Sequence, residues 1–365
     1  YYVDGVLSVY ITMCIILLLI ISDRKIDINR NYAFFVLGMI IMIGGNIKFT
    51  GLGYMGIFCI FYYILWLINA YKQKIFLKTF KYCTTFYIIV LIATVGIAGF
   101  SSYVMNTAEK GNPLYPLIGK DKVDIMSFNQ PEQFDDYNNV QKLFVSLFAE
   151  TSDVSEMIDA SEKIKLKIPL HVSIEEVKQC MRTSDIRLGG FGPLFSGMFI
   201  LMVILIIYGE YKLFKKNRYL TIQLIGIECI MTVLIFCVDG GWWARYSGYS
   251  YILVACAMVI GYNMKRGRAL DFIYKFLLTL TVINTCIMML AVPRGIIYSQ
   301  KQYKTLKMIK NRCDKEDTSV NIALQSDSFN GNMYNLMDYD IPFNIVEYDD
   351  NLEQFNEFCF YGFEK

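Results

Sequence analysis

The sequence predicts an all-α polytopic membrane protein of about eight transmembrane helices, with an extracytoplasmic α-helical cap and a small α/β C-terminal appendage. Three observations predict it. The chain is 55% hydrophobic and only 19% charged, with a mean hydropathy of +0.38, which is too apolar for an ordinary soluble protein. Its apolar residues fall in runs long enough to cross a bilayer. Lys and Arg gather in short turns that alternate with those runs, as the positive-inside bias requires.

Val6–Ser22 is a charge-free run of nearly full spanning length, followed by a turn holding Asp23, Arg24, Lys25, Asp27 and Arg30. The apolar stretch from Tyr32 to Asn69 is too long for one span and is expected to split at the glycine-rich stretch 44–53, giving two short spans around an outer turn that holds Lys48. Lys72, Lys74, Lys78 and Lys81 mark a cytoplasmic turn before a fourth span, Tyr82–Tyr103. The remaining spans are expected at Phe191–Tyr208, Tyr219–Val238, Gly248–Met264 and Phe272–Val292. The organisation is therefore spans over 1–105, a polar excursion over 106–190, spans over 191–292 and a tail over 293–365. The count places Tyr1, the excursion, Asp239–Tyr246 and the tail outside. Tyr1 stands where an intact chain would carry Met, and an outside start predicts an odd number of further spans upstream.

Within the excursion, Phe134, Tyr137, Val140, Phe144, Leu147 and Phe148 recur at helical spacing and predict an amphipathic helix lying on the membrane or on the spans. Ser173-Ile174-Glu175-Glu176 is a capping-box pattern that starts a second helix toward Cys180. The tail opens on a basic helix over about Tyr298–Arg312, and two β-like runs follow at Val320–Leu324 and Phe343–Tyr348. Cys313 and Cys359 lie in polar segments, so their pairing as a disulfide stays open.

Composition excludes several classes of function. A single histidine, His171, rules out a multi-His metal centre. Basic residues scattered among turns give no nucleic-acid footprint. No phosphate-cradling Gly-Lys-Ser/Thr loop is present, so ATP-driven work has no support.

Chemistry at the headgroup level needs charge beside the spans. Arg245 and Arg187 border spans on the expected outer side, and a guanidinium binds phosphate through two parallel hydrogen bonds. Lys48 supplies a third cation, Trp242 and Trp243 flank Arg245, and Asn112 sits in the Gly111-Asn112-Pro113 corner. Interfacial anchoring is the alternative role for Arg245 and Lys48. Asp4, Asp124, Asp185 and Asp239 are the carboxylates available as a base. Asp4 and Asp239 border spans directly, whereas Asp185 is expected to pair with Arg187. Glu228 is an intramembrane carboxylate that marks a polar path or a contact between helices.

Three stretches carry a family resemblance: Tyr2-Val3-Asp4-Gly5, Gly111-Asn112-Pro113-Leu114-Tyr115-Pro116 and Gly241-Trp242-Trp243-Ala244-Arg245-Tyr246. In these the chain resembles bacterial multi-pass glycosyltransferases of the C superfamily (GT-C), which use polyprenyl-phosphate sugars. The resemblance covers most of residues 1–295 in layout. It implies inverting sugar transfer from a lipid-linked donor to a glycan, lipid or protein acceptor at the outer face of the bacterial plasma membrane. It also implies a catalytic aspartate in the first outer loop, upstream of Tyr1, which leaves Asp4 as a substrate contact. It names no cofactor, and the need for a divalent ion stays open. An O-antigen-type polymerase or ligase, and a transporter or flippase of lipid-linked glycan, are the alternatives.

Overall fold

In the computed structural model, residues 3–23, 25–117, 119, 129–152, 164–183, 185–264, 267–324, 331–349, 352–356 and 359–363 are described. They form two units, Tyr1–Met288 and Met289–Lys365. Among the described residues seven helices are long and apolar enough to cross a membrane, and all open in the first unit. The chain is built as a multi-pass membrane protein.

Helix α1 (Val3–Ser22) packs against α2 (Arg30–Ile47) and α3 (Phe49–Lys72). The stretch expected to form a glycine-rich turn is helical instead. The chain breaks at Lys48 alone, which is extended at φ −157° and ψ 143°. Gly44 and Gly51 are used for packing: a Cβ on Gly51 would overlap the Gly44 carbonyl oxygen. Removing side chains here lets the two helices close to backbone contact, which sequence periodicity does not report.

Helix α4 (Phe76–Leu91) starts before the expected Tyr82 and widens into π-turns over Ile92–Ala98 and Phe100–Met105. Side-chain hydrogen bonds tie the loosened stretch to α2. Asn46 Nδ2 donates to the Thr94 carbonyl at 3.1 Å, and the Tyr103 hydroxyl donates to the Gly45 carbonyl at 2.6 Å.

The intervening segment contributes α5 (Asn106–Lys110), α6 (Asn139–Phe148) and α7 (Ile174–Arg182). Helix α6 starts at an Asn138–Gln141 capping box, later than the apolar pattern suggested, with Phe134 and Tyr137 preceding it. It lies on the spans, its Leu143 and Leu147 buried and Phe144 edge-on to Phe199 at 6.0 Å. The Ser173–Glu176 capping box forms as expected and opens α7. Glu176 is buried, with Lys167 paired to it and the Ser173 and Thr151 amides donating to it at 2.9 Å each. Lys167 also donates to the Pro193 carbonyl at 2.8 Å, tying the segment to the re-entry corner.

Helices α8 (Phe195–Lys216), α9 (Arg218–Cys237), α10 (Tyr251–Asn263) and α11 (Arg268–Met288) complete the unit. The stretch expected as a span over Gly248–Met264 is a 3-10 turn, Gly248–Ser250, followed by the 13-residue α10. That helix is about 20 Å long, short of a bilayer core. Where the chain re-enters at Gly192, φ is +105°, and a Cβ would run into Asn284 of α11. Asn284 is fully buried and holds this corner: it accepts from the Leu194 amide at 3.0 Å and donates to the Phe191 carbonyl at 2.9 Å.

The second unit holds α12 (Ala291–Glu316), α13 (Gly331–Asp338) and a four-stranded sheet of order β2-β1-β4-β3. Strand β1 (Val320–Leu324) matches the expected run and pairs parallel with β2 (Phe343–Ile345) and antiparallel with β4 (Cys359–Gly362). Strand β3 (Glu353–Asn356) closes the other edge through an antiparallel pairing with β4. Cys313 and Cys359 are both free thiols, buried in the apolar cluster of this unit. Burial pushes the Cys359 thiol up to about 11.

Candidate functional site

Four elements distant in sequence deliver charged side chains to one end of the helix bundle. Asp4 stands in the first turn of α1, and Lys48 is the single extended residue between α2 and α3. Arg245 lies in the loop between α9 and α10, and Asp185 lies between α7 and α8. The extended backbone at Lys48 turns its side chain toward α1, where its Nζ meets Asp4 Oδ1 at 2.6 Å. Arg245 Nε donates to the second Asp4 oxygen at 3.4 Å, and its Nη1 donates to Asp185 Oδ2 at 3.0 Å.

The pairs are half-sunk. The Asp4 and Asp185 side chains are 9% and 16% exposed, against 26% for Lys48 and 28% for Arg245. The carboxylates therefore lie beneath the cations, and attraction between them is stronger than it would be in water. Aromatic faces complete the arrangement. Lys48 sits over Tyr246 at 4.5 Å, Arg245 over Tyr246 at 5.2 Å, and Arg187 over Trp243 at 5.4 Å. Three cations face two carboxylates, so the mouth is net positive.

The structure thus brings together Asp4, Lys48, Asp185, Arg187 and Arg245 of the sequence candidates. Asp185 pairs with Arg245, where pairing with its near neighbour Arg187 was expected, and both guanidiniums lie over the Trp243 ring, Arg245 at 5.5 Å and Arg187 at 5.4 Å. Trp242 and Trp243, at 1% exposure each, are buried packing residues under the cluster, stacked at 5.8 Å. Asp239 is elsewhere: Asn139 of α6 donates to it at 3.4 Å and to the Phe236 carbonyl at 3.2 Å, joining α6 to the end of α9. Asn112 serves its own turn, with Oδ1 accepting from the Leu114 amide at 2.9 Å. Asp124 lies outside the described residues. His171 is exposed.

Beneath the cluster, Asp4, Lys48, Thr50, Tyr54, Tyr246 and Tyr249 wall a cavity of about 50 Å³. That volume admits a water or two, so a larger anion would engage the exposed rim made by Lys48 and Arg245. Among the described residues no group of three or more His, Cys, Asp or Glu side chains is placed to hold a metal ion. Tyr54 and Tyr249 are the members that the sequence did not single out. Their rings meet edge-on at 5.3 Å, and only the apolar setting of each was visible in the sequence.

The opposite end of the bundle gathers a second set of cations. Arg30, Lys78 and Tyr219 wall a common pocket there, and Lys216 donates to the Asn263 carbonyl at 2.7 Å. The lysine-bearing turns and the Asp4–Arg245 cluster therefore occupy opposite ends. No family model, no curated protein and no solved structure matches this chain.

Proposed function

We propose that the chain is an integral-membrane glycosyltransferase that takes a sugar from a polyprenyl-phosphate donor and passes it to an envelope acceptor. The observation that carries this reading is the convergence of Asp4, Lys48, Asp185, Arg187 and Arg245 at one end of the spans, on the side where the 106–190 segment emerges. A net-positive rim at the end of a set of apolar helices suits a donor whose phosphate lies at headgroup level and whose tail lies in the bilayer. Arg245 and Lys48 take the phosphate, Arg187 supports it from the Trp243 face, and Asp4 and Asp185 hold the cations in place until the anion arrives. Asp4 is also the carboxylate nearest to a bound phosphate, as a substrate contact. The outer membrane face and a bacterial cell envelope follow from the same reading.

The test is transfer of labelled sugar from a panel of polyprenyl-phosphate hexoses and pentoses, in vesicles carrying the full chain. Losing a charged donor aimed at the reacting phosphate costs about 100-fold or more in rate. Arg187→Ala, which strands no carboxylate, and Arg245→Ala, corrected for folded protein, should both show that loss. Transfer at the wild-type rate in both variants would remove the assignment.

A further inference from the structure

Glu228 sits midway along the 20-residue α9, about 15 Å from either end. The sequence showed it as a lone intramembrane acid. The structure adds Glu210, which falls within α8 because that helix runs on to Lys216. The two glutamates line one and the same cavity.

Oε1 of each glutamate has no hydrogen-bond partner among the described residues, and Glu228 is only 8% exposed. Both acids line a cavity of about 500 Å³ walled by α8, α9 and α10 and roofed by α6. Among the described residues its remaining walls are apolar apart from Thr232 and Ser250, with no Lys, Arg or His. Ser250 Oγ is a further buried atom with no partner among the described residues. The cavity opens sideways, past Ile207 and Val233, which are 69% and 57% exposed.

An intramembrane carboxylate is costly and is ordinarily paired. A lipid amine keeps its head at the interface, about 15 Å from this depth. A helix, whose backbone polar groups are bonded internally, can carry a basic side chain there. We infer that the α8–α9 groove seats a transmembrane helix of a partner protein, whose mid-membrane Lys or Arg pairs with the Glu210–Glu228 acids. The partner's apolar side chains fill the groove above and below that contact. This assignment stands whatever chemistry the Asp4–Arg245 cluster performs.

The full chain, reconstituted in phosphatidylcholine vesicles, tests it with two leucine-rich transmembrane peptides that differ only in a central Lys or Leu. Energy transfer from labelled protein to labelled peptide reads association. The Lys peptide should associate about tenfold or more tightly than the Leu peptide. Glu228→Gln combined with Glu210→Gln should erase that preference, and Glu228→Lys should transfer it to a peptide with a central Glu. Equal association of the Lys and Leu peptides with the wild-type chain overturns the proposal, and needs no variant to fold. Displacement of the Lys peptide by dodecylamine at matched membrane concentration also overturns it, by making a lipid amine the occupant.

Discussion

Asp4 and Arg245 lie 241 residues apart in the chain and meet at 3.4 Å, the carboxylate held from its other side by Lys48 at 2.6 Å. With Asp185 on the same guanidinium at 3.0 Å, this contact fastens four segments at one end of the bundle. The start of α1, the break between α2 and α3, the approach to α8 and the loop after α9 cannot separate without parting opposite charges. The same contact sets the state of the arginine before any substrate arrives: it is preorganised, and an incoming phosphate must compete with two carboxylates. Binding should therefore weaken steeply with salt and strengthen when one carboxylate is neutralised.

The first prediction concerns stability. Arg245→Ala leaves Asp4 with Lys48 alone and strips Asp185 of its cation. Removing one partner from a fully buried pair costs about 3–5 kcal/mol, and the partial exposure here lowers that to about 2 kcal/mol. Asp185→Asn made in the same chain should recover part of the loss, because no charge is then stranded. Thermal unfolding in detergent of the two single variants and the double variant reads the coupling. Strict additivity would mean that the pair does not interact.

What the sequence showed of this fold depended on signals that are local. The Ser173–Glu176 box and the β1 run Val320–Leu324 were legible because capping and strand patterning are written in adjacent residues. The charged candidates were legible as types placed next to spans. Their partners were not: Asp185 pairs with Arg245 across the fold and not with Arg187 two residues away, a pairing set by the tertiary fold. Gly44 and Gly51 read as a turn because small residues serve turns and close helix packing equally. Glu210 escaped notice because a hydropathy window ends a span at the first charged residues, and α8 continues for six residues beyond it.

A second prediction follows from Glu176 on α7. Burial works to raise this carboxyl, but Lys167 together with the Ser173 and Thr151 amides outweighs it, and the group is held below the ordinary glutamate value. A carboxyl lowered in the folded state contributes stability that is complete above its unfolded value, about 4.3, and is lost as pH falls through the folded value. The 106–190 segment should therefore become protease-sensitive as pH falls below about 4. In Glu176→Gln that pH step should vanish and the segment should be labile at neutral pH too, because Lys167 is then buried without a counter-charge. Limited proteolysis across pH distinguishes this from general acid unfolding, since the wild-type spans should stay intact while the segment is cut.

A third prediction tests the re-entry corner. Asn284→Ala leaves the Leu194 amide and the Phe191 carbonyl without their buried partner, at a cost of about 1–3 kcal/mol. Gly192→Ala should cost at least as much, since it adds a clash with Asn284 to a φ of +105°. Made together, the two changes should cost less than their sum, because truncating Asn284 clears the space that the new methyl needs. Chemical denaturation of the three variants checks this.

The final prediction fixes the sidedness on which the proposed function depends. Cys180 is a poor reporter for it, because its thiol is fully buried, lies 3.7 Å from the Met288 sulfur and is raised by burial to about 11. A thiol reacts as its thiolate, so this one would stay silent from either side. Glu175 on α7 has a side chain that is 76% exposed, and Lys215 at the end of α8 is also exposed. Each accepts a cysteine without disturbing packing, although Glu175 gives up a surface pair with Lys178 that is worth little. In intact cells an impermeant maleimide should label Glu175→Cys and leave Lys215→Cys untouched. Opening the cells should expose the second site and leave the first unchanged. The reverse pattern would place Asp4, Lys48 and Arg245 on the cytoplasmic face, because the Asp185–Arg245 contact puts that cluster at the end where the α7 segment emerges. A donor presented at the outer surface could not then reach the cluster, and the glycosyltransferase assignment would fall with it.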